Sequence, residues 1–151
     1  MSDLKDRLQN DLTTAMKARD ELRTATLRMV LTAIKNEEVS GGAARELDDD
    51  EVLKVLAREG KKRREAAEAF SDGGRTELAE RERAEGAIVE EYLPAQLSDE
   101  DLTALVATAI AETGATSPQQ MGLVMKLVTP QVAGRAEGGR VAAAVKKALS
   151  S

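Results

Sequence analysis

Apolar residues at steps of four open the chain. Leu4, Leu8, Leu12 and Met16 form one stripe, which predicts a helix over about residues 3–18. Asp20 then offers a cap, and a second helix is expected to about Val39. Leu22, Met29 and Ala33 lie on one side of it, with Leu27, Val30, Leu31 and Ile34 beside them. So wide an apolar face predicts the central helix of a bundle. Ser40-Gly-Gly-Ala-Ala-Arg45 breaks the period and reads as a loop. A third helix, capped within Asp48 to Asp50, is expected to run to about Ser71 and to bury Val52, Leu53, Leu56, Ala67 and Phe70. After Asp72-Gly-Gly74, a fourth is expected from about Thr76 to Tyr92. Its middle, Glu80-Arg-Glu-Arg83, holds no apolar residue, and Glu77 and Arg81 form an i,i+4 pair of favourable polarity.

Leu93-Pro94 closes the fourth helix, because a residue before proline is pushed out of the helical region. Ala95-Gln-Leu97 reads as a linker, which divides the chain into a four-helix part, 1–94, and a three-helix part, 95–151. Ser98-Asp-Glu-Asp101 resembles a capping box and starts a fifth helix carrying Leu102, Leu105, Val106, Ala109 and Ile110. Gly114 is a natural terminator for it. Ser117-Pro118-Gln-Gln120 supplies a cap, a first-turn proline and a capping-box glutamine for a sixth. That helix carries Met121, Val124, Met125 and Val128 and is expected to end before Pro130. A seventh, from about Gly139 to Leu149, places Val141, Val145 and Leu149 on one face. Arg140 and Lys147 share a face away from that stripe. With no convincing strand and no repeat, the fold class expected is all-α.

Composition narrows the chemistry. Of 151 residues, 42% are hydrophobic and 32% charged, a globular balance, yet there is one Tyr, one Phe and no Trp. A core of Leu, Val, Ile, Met and Ala suits packed helices better than sheets. The chain has neither His nor Cys, which removes Ser-His-Asp and Cys-His nucleophilic machinery, thiol redox chemistry, disulfides and His/Cys zinc sites. The charged start, Met1-Ser-Asp-Leu-Lys-Asp6, is no secretory core, and the longest apolar runs are too short to span a bilayer. These features lead to the expectation of a cytoplasmic protein without a membrane partner. Net charge is −5, which argues against indiscriminate nucleic-acid binding, and no DNA partner is expected. Residues 118–151 nevertheless carry Lys126, Arg135, Arg140, Lys146 and Lys147 against Glu137 alone, a basic tail on an acidic body.

The remaining candidate chemistry is sparse. Carboxylate runs such as Asp48-Asp-Asp50, Glu90-Glu91 and Asp99-Glu-Asp101 read as helix starts and solvated faces, and none has the spacing of a calcium loop. The paired glycines 41–42, 73–74 and 138–139 make neither a P-loop nor a dinucleotide fingerprint. No cofactor or metal is expected. Lys61, Lys62, Arg63 and Arg64 form the densest cationic run; it reads either as a solvated face paired with Glu59, Glu65 and Glu68 or as a phosphate-contacting patch. Without interleaved aromatics it cannot stack bases. Near the end, Gly134 permits an unusual backbone angle, Gly138 and Gly139 leave a helix start uncovered, and Arg135 and Arg140 flank it. Such an element can hold a phosphate by shape and charge, or be a well-made turn with two surface arginines.

Several stretches carry a resemblance. Lys62-Arg-Arg-Glu-Ala-Ala-Glu-Ala-Phe70, Gly74-Arg-Thr-Glu-Leu-Ala79, Glu91-Tyr-Leu-Pro-Ala-Gln-Leu97, Gln120-Met-Gly-Leu-Val-Met125 and Gly134-Arg-Ala-Glu-Gly-Gly-Arg-Val-Ala-Ala-Ala-Val145 are similar, in order, to the GatB/YqeY family. The resemblance implies four helices followed by three. It also implies kinship with the tail of the B subunit of the aminoacyl-tRNA amidotransferase, which contacts the tRNA elbow. Gly134 and Arg135 match that tail's turn, and Lys146 and Lys147 the helix after it; Glu137 stands where the family usually has Asp, a poorer N-cap. The expectation is an accessory module that binds structured RNA, tRNA in particular, through Gly134, Arg135, Arg140, Lys126, Lys146, Lys147 and Lys61 to Arg64. The alternative is a protein-interaction module docking on an amidotransferase or aminoacyl-tRNA synthetase. Family inheritance would attach carbon–nitrogen ligase activity with glutamine as amide donor; no catalysis is expected of the isolated chain.

Overall fold

Side-chain caps set most helix starts in the computed structural model, which describes residues 2–132, 134–136 and 138–150. The Ser2 hydroxyl accepts from the Lys5 N–H and starts α1 (Asp3–Lys17). Asp20 accepts from the Arg23 N–H at 3.0 Å and starts α2 (Glu21–Val39). A reciprocal capping box between Asp48 and Glu51 starts α3 (Asp49–Asp72), and α4 (Thr76–Glu90) follows the Gly73-Gly74 turn without a side-chain cap. Ser98 caps α5 (Asp99–Thr113), which ends on Gly114 at φ 71°. A single 3₁₀ turn, Pro118–Gln120, leads into α6 (Met121–Gln131), and α7 (Gly138–Ser150) closes the chain. Every regular element among the described residues is helical, and none is long and apolar enough to cross a membrane. The capping role considered for Glu137 lies outside the described residues.

The chain divides into two compact units, Met1–Leu93 and Pro94–Ser151. In the first, Leu8, Leu27, Val30, Ile34, Leu47, Val52, Val55, Leu56 and Val89 form the buried core. Helix α2 packs against α1, α3 and α4, as its wide apolar face demands. Burying Thr26 in that face is possible because its hydroxyl donates to the Leu22 carbonyl at 2.8 Å. The α1 stripe is only partly used. Four residues overshoot one 3.6-residue turn, so each step drifts by about 40°. Leu8 is fully buried, Leu4 and Leu12 partly, and Ala15 takes the next core position. Met16 has drifted off the core and is 48% exposed.

Helices α3 and α4 form a long antiparallel hairpin. Gly60 and Gly86 are buried along it, and a Cβ on Gly86 would stand 3.4 Å from that of Arg63. Ala67 and Ala79 pack beyond them, whereas Phe70, expected in the core, is only half-buried near the tip. Helix α4 stops at Glu90, short of the expected Tyr92, because the next amides close three-residue turns: Tyr92 N–H donates to Val89 and Leu93 N–H to Glu90. Tyr92 then turns into the core, where its hydroxyl donates to Asp11 Oδ2 at 2.5 Å and Arg7 lies over its ring.

In the second unit, Leu102, Val106, Ala109, Val124, Val128, Val141, Val145 and Leu149 interdigitate. Leu97, read as linker, joins this core and donates its N–H to the Arg135 carbonyl at 2.8 Å. Helix α6 continues through Pro130 where a stop was expected. Proline here deletes a single bond, to the Lys126 carbonyl, in an exposed last turn. Val132 N–H still reaches Val128, and the Gln131 side chain donates to the Leu127 carbonyl.

Candidate functional site

The cationic run on α3 is engaged with carboxylates. Lys61 meets Glu65 one turn on, and Lys62 lies 3.4 Å from the buried Glu59. Arg63, largely buried, reaches across the hairpin to Glu82 at 3.2 Å and Glu85 at 3.6 Å. Arg64 approaches Glu90 at 3.9 Å. The polar middle of α4 thus answers the polar run of α3. Arg81 joins the same network by a different route from the expected Glu77 pair. It chelates Glu21 through both terminal nitrogens at 3.1 Å and bonds Glu85 at 3.0 Å. The two carboxylates of Glu21 and Glu85 together engage three nitrogens of the Arg81 guanidinium. Arg81 in turn holds the Glu21 carboxyl below its ordinary value.

The basic residues of the second unit divide by role. Arg140 donates to the Leu97 carbonyl at 3.0 Å and to Asp99 Oδ1 at 2.8 Å, so it braces the start of α5. Gly134 takes φ 72°, and its carbonyl accepts from Gln96 at 2.8 Å. The Arg135 carbonyl accepts from the Leu97 N–H in the same brace, its own N–H closes a turn onto the Val132 carbonyl, and its side chain is exposed. Lys126, Lys146 and Lys147 are exposed. Asp99 thus pairs with one cation of the basic tail, and the unit as a whole carries five basic and five acidic residues.

A different place combines apolar surface with cations. At the α1–α2 corner, Met16, Arg19, Glu21, Thr24, Ala25 and Arg28 line an open groove of about 450 Å³. The corner is a three-residue link closed by Ala18 N–H to Thr14, Arg19 N–H to Met16 and Asp20 N–H to Ala15. This wrapping forces Arg19 to φ 56°, the left-handed conformation that usually falls to glycine at such a position. Arg28 Nη2 lies 3.8 Å from the Met16 sulfur. Neither Arg19 nor Arg28 has an ion-pair partner among the described residues, and the groove's one acid, Glu21, is held by Arg81. Met16 was placed on the apolar stripe of the first helix, and Arg19 and Arg28 were not singled out in the sequence. The available signals were the 40° drift of the stripe and a helix end with no glycine to terminate it.

Comparison with known proteins gives a consistent pattern. The family model described as "Yqey-like protein" matches residues 5–149. Among curated proteins, the chain is 37% identical over 97 residues to "Altered inheritance of mitochondria protein 41, mitochondrial" of Clavispora lusitaniae, covering 63% of this chain and 55% of that protein. It is 32% identical over 114 residues to the protein of the same name in Lachancea thermotolerans, 74% of this chain and 60% of that one. The Kluyveromyces lactis protein is 36% identical over 85 residues, 56% of this chain and 45% of that one. The chain thus spans a little over half the length of the first two. These names overturn two expectations. The role as a tRNA-binding module related to the amidotransferase, with its alternative of docking on that enzyme or a synthetase, is replaced by kinship to proteins named for the inheritance of mitochondria. The cytoplasmic expectation conflicts with relatives that are all named as mitochondrial. Its grounds, a charged start without a secretory core and apolar runs too short to span a bilayer, suit more than one compartment.

Proposed function

The chain belongs to the YqeY-like family, and from that premise we propose that it is a protein-binding module whose role its mitochondrial relatives retain. In this reading the four-helix part and the three-helix part are separate subdomains, a view supported by the two compact units and their separate cores. The module works by presenting a shaped surface to another protein. The observation that carries the reading is the α1–α2 corner. There a 48% exposed methionine sits beside two arginines that have no ion-pair partner among the described residues, one of them, Arg19, held in the left-handed conformation that favours glycine. The backbone at 19 would be served better by glycine, so the arginine side chain there is not what the helix turn itself calls for. Contact with a partner would bury the methionine and satisfy the cations.

Complementation tests the shared role. The gene for the Kluyveromyces lactis relative is deleted, and this chain, fused to a mitochondrial leader, is expressed in its place. Restoration of normal mitochondrial inheritance is expected. Correct import and folding without any restoration would contradict the shared role.

A further inference from the structure

We infer that the α1–α2 groove binds an acidic peptide segment carrying an apolar side chain, an inference that rests on the protein-binding reading above. Charge chooses the occupant. Arg19 and Arg28 line the groove, Lys17 adjoins it, and the single carboxylate, Glu21, is already chelated by Arg81. Asp20, which also adjoins the groove, is taken up by the Arg23 N–H and lies 3.8 Å from the Arg23 guanidinium, so the lining carries excess positive charge beside the apolar Met16 and Ala25. An acidic helix or strand supplies carboxylates to both guanidiniums, each able to take a bidentate pair. An apolar side chain between those carboxylates covers Met16, whose flexible thioether adapts to varied shapes.

Arg19 supplies the second argument. A left-handed residue at a helix end is ordinarily glycine, because a Cβ there meets the following carbonyl. Here the position keeps its long cationic side chain, in a groove wall, against that preference. Replacing it with glycine should relax the backbone and remove the charge at once. The substitution separates folding from binding: a purely structural corner improves or is indifferent, while a binding corner loses its ligand.

The probe is a fluorescein-labelled helical peptide of glutamates with leucines at i, i+3, i+4 and i+7, read by fluorescence anisotropy against the full chain at low and physiological salt. Binding is expected, weakening as salt rises. Arg19→Gly and Arg28→Glu should each weaken it about tenfold or more, the size of a lost charge-assisted contact. Met16→Ser should weaken it less, and Arg19→Gly should melt no lower than the parent. A surface control, Arg75→Gln, should bind like the parent.

The inference is overturned if the acidic peptide does not bind, if a lysine–leucine peptide binds as well, or if Arg19→Gly and Arg28→Glu leave binding unchanged. It is likewise overturned if a single-stranded RNA displaces the peptide and loses its own binding in the same variants, which would make the groove a phosphate site. Sedimentation showing a dimer that Arg28→Glu dissociates would assign the groove to a second copy instead. Peptide binding with no rescue in yeast removes the shared role and leaves the groove; rescue with no peptide binding removes only the groove.

Discussion

Arg63 links the two helices of the hairpin through buried charge, and its removal gives a sharp test. Its side chain is 19% exposed, against 16% for Glu82 and 13% for Glu85. Glu85 keeps a second partner in Arg81 at 3.0 Å. Glu82 Oε2 and Arg63 Nε are both buried without a hydrogen-bond partner among the described residues, although Glu82 Oε2 lies 3.2 Å from Arg63 Nη1. Arg63→Met keeps the aliphatic stem and leaves Glu82 buried beside Glu85 without a cation between them. Breaking a fully buried pair costs about 3–5 kcal/mol; with water partly admitted here, about 2 kcal/mol is expected. The companion double variant, Arg63→Met with Glu82→Leu, replaces a poorly satisfied pair by apolar packing and should recover most of that loss. Urea unfolding at pH 7, followed by helical circular dichroism, measures both, and the cycle with Glu82→Leu alone gives the coupling. A single variant within about 0.5 kcal/mol of the parent, or a double variant no better than the single, would refute the view that this seam is held by its charges.

Three further outcomes follow from individual contacts. Tyr92→Phe removes the hydroxyl bonded to Asp11 and should cost about 1–2 kcal/mol in chemical denaturation. Burial, followed by the Asp11 hydrogen bond, raises the Tyr92 pKa well above its ordinary 10.0. Stability from this group is therefore complete below pH 10 and lost as pH rises beyond it, so the parent should weaken in that window and the Phe variant should lack this term. Glu38 accepts from Lys5 at 2.9 and 3.0 Å and from the Leu47 N–H, and the Lys5 bond holds its carboxyl below the ordinary 4.5. Its contribution is present above pH 4.5 and disappears as pH falls through the lowered value, so Glu38→Gln should cost about 1 kcal/mol at pH 7 after solvent screening and nothing in strong acid. Gly114→Ala puts a Cβ at φ 71° on the α5 end and should cost about 1 kcal/mol, seen by calorimetry as a melting point of the three-helix part lower by about 4–8 °C.

Much of the helical order was legible because it is written locally. Asp20, Asp48 and Ser98 announce helix starts by their side-chain chemistry, and Gly114 announces an end. Core positions such as Leu27, Val30, Val106 and Val145 follow from periodicity alone. What escaped depends on geometry accumulated over distance or on pairing between helices. Met16 needs the drift summed over three steps before its exposure can be seen. Arg81 chose Glu21, 60 residues away, over its neighbour Glu77, a choice no local pattern contains. Arg63 and Arg64 similarly spend their charge on the facing helix, at Glu82 and Glu90. The groove was invisible for both reasons at once: it combines a drifted methionine with an arginine forced left-handed by the wrapping of a short corner. The functional expectation failed differently. It followed the resemblance of the tail to a tRNA-binding relative, whereas the curated relatives are named for mitochondrial inheritance.

Mitochondrial inheritance in the relative-deficient yeast, scored side by side for the parent chain, Arg75→Gln and the Arg19→Gly/Arg28→Glu double variant, tests the account most directly. The parent and Arg75→Gln should restore inheritance, and the double variant, imported and folded to the same level, should not. Equal rescue by all three would contradict a role exerted through the α1–α2 corner, and rescue by none would contradict the shared role itself.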